Sequence, residues 1–228
     1  MPSSRPAAGP RPSEDKAPRT ETRWEAAVAV LAAAGLQGIL PEHLTVGPNW
    51  LLPTLEIALL GPLLVANRAE AGMSRSHWWR RVSVVSIAMV NAANIASLGL
   101  LIHSLLNGSK SSGKQLILAA IGIWLTSLIV FALWYWQVDR GGPVARCLTD
   151  QAKPDLFFPQ MANPEVADAG WSPTFVDYLY VSLTNCMAFS PTDTMPLTPR
   201  AKLLMGAQSL VSLATIAIVG SRAVNILN

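Results

Sequence analysis

The sequence predicts an all-α integral membrane protein, and three observations carry that reading. Of 228 residues, 51% are hydrophobic and only 14% are charged. A soluble domain usually carries about 25% charged residues. Several apolar runs approach or exceed the roughly 20 residues needed to cross a bilayer. Those runs alternate with polar segments that hold most of the Pro, Lys and Arg. Two Cys do not make a disulfide scaffold. A net charge of +3 without a dense basic stripe does not point to nucleic acid.

Residues 1–23 hold five Pro and mixed charges without a hydrophobic period, so a disordered tail is expected. Residues 24–40 are an Ala-rich apolar stretch of 17, near the lower limit for a span. Leu31-Ala32-Ala33-Ala34-Gly35 also resembles a signal-peptide cleavage site, but the long acid-containing tail before it favours a span. A second span is expected at 50–66, a third at 82–106 and a fourth at 115–136. Residues 107–114 are a Gly/Ser/Lys turn, and 137–172 a polar loop containing Gly141-Gly142-Pro143. Residues 173–187 read as a short helix, and 188–199 as a non-helical stretch broken by Pro191, Pro196 and Pro199. Residues 203–227 make the last span.

The expected architecture is therefore five spans and one half-length helix. The tail precedes an N-terminal group of helices (24–114) and a C-terminal unit (115–228). Trp24, Trp50, Trp78, Trp79, Trp134, Tyr135 and Trp136 fall at span ends, where amphipathic rings favour the headgroup layer. No internal repeat of the kind that builds secondary transporters is evident.

Orientation follows from Lys and Arg. One side collects five in the tail, four in 67–81 and five in 137–202. The other side holds Lys110, Lys114 and Arg222. The positive-inside rule then puts the N-terminus in the cytoplasm.

The block DYLYVSLTNCMAFSPTDTMPLT (177–198) is the most informative. A helix too short to span is followed by extended chain and then a full span. Non-helical backbone at membrane depth survives only when buried in protein or lining water. The pattern suggests a re-entrant loop, the element that builds ion-channel filters. An interfacial helix with an ordinary polar loop is the alternative.

From Ser182 to Thr198 the block resembles, without a gap, the pore loop of potassium channels, S-F-T-T-L-T-T-V-G-Y-G-D-I-T-P-L-T. Ser182 and Thr184 fall on the pore helix, Asp193 on the Asp after the filter, and Pro196-Leu197-Thr198 on the exit to the inner helix. The resemblance covers about the last 60 residues. It implies a homo-oligomer, with a tetramer favoured, that conducts inorganic cations. Thr184, Asn185, Ala188, Phe189, Ser190, Pro191, Thr192 and Asp193 would line or support the path.

The departure is at the centre. V-G-Y-G is replaced by Phe189-Ser190-Pro191-Thr192, so both filter Gly are lost. Pro191 fixes its own φ and restricts Ser190, so the usual stack of carbonyl sites is not expected. Ser190, Thr192 and Thr194 offer hydroxyls instead, and Asp193 a ring of carboxylates. A less selective cation path, or no conduction, would follow. Potassium channels insert this loop from outside. The charge count instead places it on the cytoplasmic face, as in glutamate-receptor channels.

The run Ala188–Leu197 also resembles a group of uncharacterised bacterial multi-pass membrane proteins. Trp134-Tyr135-Trp136, D-R-G-G-P-V at 139–144, F-F-P-Q at 157–160 and A-V-N-I-L at 223–227 look like further blocks of that group. That likeness implies a bacterial inner-membrane location and conveys no function.

Other polar residues sit within spans. Glu56 would be an intramembrane ion or proton site, or a hydrogen-bonded packing residue. Asn91 and Asn94 share one face of the third span and suit interhelical bonding better than ligand binding. Gln208, Ser209 and Ser212 share a face of the last span and would line a cavity or serve packing. Neither Cys147 nor Cys186 is placed for a disulfide or a metal, and no enzyme motif appears. No cofactor and no metal are expected. The partners are the lipid bilayer, cations and further copies of the chain. A non-conducting partner, sensor or assembly protein on the same scaffold is the first alternative, and a proton-coupled transporter using Glu56 the second.

Overall fold

The computed structural model describes residues 24–38, 48, 50, 53–54, 57–58, 73–107, 113–148, 153–163, 165–168, 170–190 and 193–227. The expected tail at 1–23, most of the expected span at 50–66, and Glu56, Pro191 and Thr192 lie outside them.

The described chain is mostly helical. It runs α1 (Trp24–Gly38), α2 (Met73–Leu106), α3 (Gly113–Val138), a 3-10 turn (Asp139–Gly141), α4 (Pro143–Leu148), β1 (Leu156–Phe157), α5 (Pro159–Ala162), α6 (Phe175–Ala188), β2 (Met195–Pro196) and α7 (Pro199–Leu227). Among the described residues three helices are long and apolar enough to cross a membrane: Arg80–Leu106, Gly113–Gly141 and Pro199–Ser221. α1 is apolar but only 15 residues long, about 22 Å at 1.5 Å per residue.

α3 is the hub, packed against α1, α2, α6 and α7. Two thirds of its span is buried, against 33% for α2 and 22% for α7. The composition explains why. α3 carries Ala119, Ala120, Gly122 and Ala132, which let neighbours approach, as in membrane helix interfaces. α7 instead turns Leu203, Leu210, Leu213 and Ile216 outward. The larger core gathers α1, α2, α3, α6 and the start of α7 around Phe131, Tyr135, Trp136, Phe175 and Tyr178. A second apolar cluster joins α2 and α3 around Leu98, Leu101 and Ile123, with Val211 and Ile218 of α7 against it.

The third span, expected at 82–106, falls within the candidate span Arg80–Leu106, and its helix extends further back to Met73. No Gly or Pro interrupts 74–82, so the helix continues through the basic residues beyond the apolar run. Tyr135 and Trp136 were expected in the headgroup layer, yet both are 1% exposed. Trp136 packs edge-on against Phe175, because α6 covers that end of α3. Trp24 and Trp78 are exposed, as an interfacial place requires.

The expected loop at 137–172 is not featureless. It holds the 3-10 turn, two short helices and β1. β1 pairs antiparallel with β2, Leu156 opposite Pro196 and Phe157 opposite Met195. Arg140, Gly141 and Gly142 all take positive φ (52°, 83° and 98°) to reverse the chain after α3. At Gly142 an added Cβ would meet the Gln137 carbonyl oxygen at 3.1 Å, so glycine is required there.

Candidate functional site: the half-length helix and its clasp

α6 is built to start cleanly. Thr174 is its N-cap, and its N–H and hydroxyl donate to the Asp177 carboxylate at 2.7 and 2.9 Å. The helix lasts 14 residues, about 21 Å, and ends on Phe189 in the left-handed region (φ 53°, ψ 28°). Glycine usually takes that place.

Two polar networks fix α6 in the fold. The first clasps the end of α3 to the starts of α6 and α7. Asp139 is fully buried. Its Oδ1 accepts the backbone N–H groups of Asp155 (2.8 Å) and Leu156 (3.3 Å), and its Oδ2 accepts the Tyr178 hydroxyl (2.7 Å). Asp155 is 1% exposed and takes both arms of Arg200, Nε to Oδ1 at 2.6 Å and Nη2 to Oδ2 at 2.7 Å. Thr198 Oγ1 (2.6 Å) and the Arg140 N–H (3.0 Å) also donate to it. Leu197 N–H closes the loop on the Asp155 carbonyl at 2.8 Å. Arg146 Nη1 donates to the carbonyls of Trp136 (2.7 Å) and Asp139 (2.9 Å), and its guanidinium lies 5.1 Å from the Tyr178 ring centre. A cation on the last carbonyls of α3 suits the negative end of that helix.

Burial pushes the Asp155 carboxyl up, but the Arg200 hydrogen bond, with those of Thr198 and Arg140, outweighs it. The net effect holds Asp155 below the usual carboxylate value.

The second network lies deeper and centres on Gln208, which is fully buried. Its Oε1 accepts from the Tyr135 hydroxyl and from Asn185 Nδ2 (2.9 Å). Its Nε2 donates to Ser182 Oγ (2.6 Å), the Ser182 carbonyl (3.0 Å) and Cys186 Sγ (2.9 Å). Ser182 Oγ donates to the Leu128 carbonyl at 2.7 Å. Ser212 Oγ donates to the Cys186 carbonyl (2.7 Å) and accepts Trp124 Nε1 (2.9 Å). So α3, α6 and α7 are bonded through polar side chains buried between the helices, where unpaired groups are costly. α6 and α7 both leave the clasp and descend beside α3, Tyr178 meeting Asp139 and Cys186 meeting Ser212.

The sequence-expected residues divide. Asn185 is 2% exposed and committed to Met205 O (2.9 Å) and Gln208. Thr184 Oγ1 bonds back to Tyr180 and Val181 carbonyls, both at 3.1 Å. Ala188, Phe189, Ser190 and Asp193 are exposed on the single chain. Gln208 and Ser212 serve packing between helices, and do not line a cavity. Asn94 bridges three helices, accepting from Gln37 Nε2 (3.4 Å) and donating to the Ile123 carbonyl (3.1 Å). Cys186 is buried and free. No group of three His, Cys, Asp or Glu among the described residues would hold a metal.

Asp139, Arg146, Asp155, Tyr178 and Arg200 were not singled out from the sequence as a unit. The available signal was the likeness at 139–144 and 157–160, two blocks flanking Asp155. Comparison with known protein families, curated proteins and solved structures finds no match. The pore-loop likeness therefore rests on the residues from Ser182 to Thr198 themselves.

Proposed function

We propose that this chain is one subunit of a homo-oligomeric cation channel, with a tetramer favoured, of the bacterial inner membrane. α6 and the return from 189 to 198 act as its pore loop, with a divergent filter at Ala188 to Asp193.

The observation that carries the reading is the tip of α6. Ala188, Phe189 and Ser190 lie about 20 Å along the helix from its start, and all three are exposed on one chain. Non-helical backbone at that depth is stable only against protein or water. Copies arranged around an axis supply both, and enclose a path. Asp193, also exposed, would draw cations towards its mouth. Asn185 and Thr184 support the loop from behind. The clasp end is shared by the starts of α2, α6 and α7, and the charge count assigns that end to the cytoplasm.

The first alternative is a non-conducting partner, sensor or assembly protein. Phe189 in the left-handed cap and Pro191 in the filter register favour it. No observation favours transport through Glu56, which lies outside the described residues.

Ser190→Cys tests the assembly. In native membranes, oxidation is expected to yield disulfide-linked dimers of the variant and none of the parent chain. A monomer in mild detergent, with no cross-linked species in membranes, would contradict the oligomeric pore.

A further inference from the structure

We infer that the cleft beside the end of α3 is a binding site for a phosphate ester carrying a primary amine, of the phosphoethanolamine type. This cleft of about 270 Å³ is lined by Arg140, Gln160, Met161, Asp168, Trp171 and Pro173, among others. It owes nothing to conduction and stands whether or not the chain forms a channel.

Arg140 supplies the anion-binding half. It is a non-glycine residue held at φ 52°, ψ 26°, a conformation that persists only where its surroundings impose it. Its backbone N–H is spent on Asp155, which leaves the side chain lining the cleft. A guanidinium carries five N–H donors. Here Nη2 donates to a thioether, Met161 Sδ at 3.4 Å, which is a weak acceptor. Nε is buried and ion-paired with the Asp139 carboxylate at 3.7 Å, so the terminal Nη groups are the ones left to meet a ligand. A phosphate oxygen is a far stronger acceptor for them than the thioether.

The other half asks for a donor. Gln160 Oε1 is a buried acceptor without a partner. Its terminal torsion is soft, so the amide can turn toward the cleft that Gln160 lines. Asp168 adds a carboxylate on an exposed turn, and Trp171 a ring. Trp171 is steadied by its edge contact with Phe158 at 5.9 Å and by its N–H to the Asp168 carbonyl at 2.9 Å. An ammonium meets all three, with hydrogen bonds to Gln160 and Asp168 and the face of Trp171. A simple anion would leave Asp168 and Gln160 unmatched.

Position favours a lipid as the source. Arg140 belongs to the last turn of the candidate span Gly113–Gly141, at the level where headgroups lie. The free headgroup has the same chemistry.

The test is native mass spectrometry of the full chain in detergent with phosphatidylethanolamine, phosphatidylglycerol and phosphatidylcholine of matched acyl chains. Thermal stability is measured alongside. The parent chain is expected to retain phosphatidylethanolamine about tenfold more tightly than either other lipid. Arg140→Gly keeps the N–H to Asp155 and relieves the positive φ, so it should fold while losing about tenfold in retention. Asp168→Asn, on an exposed residue, should abolish the preference for the ethanolamine lipid. Displacement of bound lipid by soluble phosphoethanolamine would add the free compound as a source, and its failure to compete would assign the site to the lipid. Equal retention of the three lipids by the parent chain would overturn the inference. So would unchanged retention and selectivity in both variants.

Discussion

Asp155 and Arg200, 45 residues apart in sequence, meet through two parallel hydrogen bonds of 2.6 and 2.7 Å. The pair is lopsided. The Asp155 side chain is 1% exposed and the Arg200 side chain 57%. Water therefore screens the cation but not its partner. Arg200→Ala leaves a buried carboxylate with Thr198 and the Arg140 N–H alone, and should cost about 1–3 kcal/mol. Arg200→Lys keeps the charge, loses the fork, and should recover only part of it. Thermal unfolding in detergent reads both.

The same pair sets a pH dependence. Asp155 titrates below the usual carboxylate value when folded, so its contribution to stability is complete above that value. It fades as pH falls below about 4 and through the folded value. The gap in melting temperature between the parent chain and Asp155→Asn should be constant near neutral pH and close under acid. A gap that persists unchanged at pH 2 would show that charge is not what Asp155 contributes.

Gln208 ties α7 to α6 through four bonds and to α3 through one. Interhelical hydrogen bonds in membranes average only about 0.6 kcal/mol, with a maximum near 1.7. Gln208→Leu strands several partners at once, so a loss of about 2–3 kcal/mol is expected. Gln208→Glu puts a carboxyl against the Ser182 carbonyl in a fully buried place with no cation beside it, so it must stay protonated and should cost at least as much. Melting curves of the two variants decide the order.

Asn94 offers a cleaner pair. Asn94→Leu and Gln37→Leu should each cost about 1 kcal/mol, and the double variant less than their sum, because the two side chains share a bond. A strictly additive double variant would remove that bond from the account of α1 docking.

Much of the helical pattern was legible because apolar runs and Pro breaks are local signals. α3 lies within two residues of the expected fourth span at each end, and α6 begins two residues late and ends one late. The clasp was not legible. Asp139, Asp155 and Arg200 are separated by 16 and 45 residues, and spacing of that kind carries no contact information. β1 and β2 have two residues each, too few for a period. Tyr135 and Trp136 misled for a general reason: an aromatic at the end of an apolar run suits the headgroup layer and a protein core equally well. The Gln208 face shows the same ambiguity, since a polar stripe on a spanning helix suits a water-filled cavity or a neighbouring helix. Packing of α6 on that face decided it.

Cation flux into proteoliposomes tests the proposed pore loop most directly, comparing the parent chain with Asp193→Asn and Pro191→Gly. The parent chain is expected to pass monovalent cations. Asp193→Asn should lower the flux several-fold, as loss of a charge ring at the mouth requires, and Pro191→Gly should change its selectivity. No flux from any of the three, with the protein folded and oligomeric, would contradict a conducting path at Ala188 to Asp193 and leave the non-conducting scaffold as the reading.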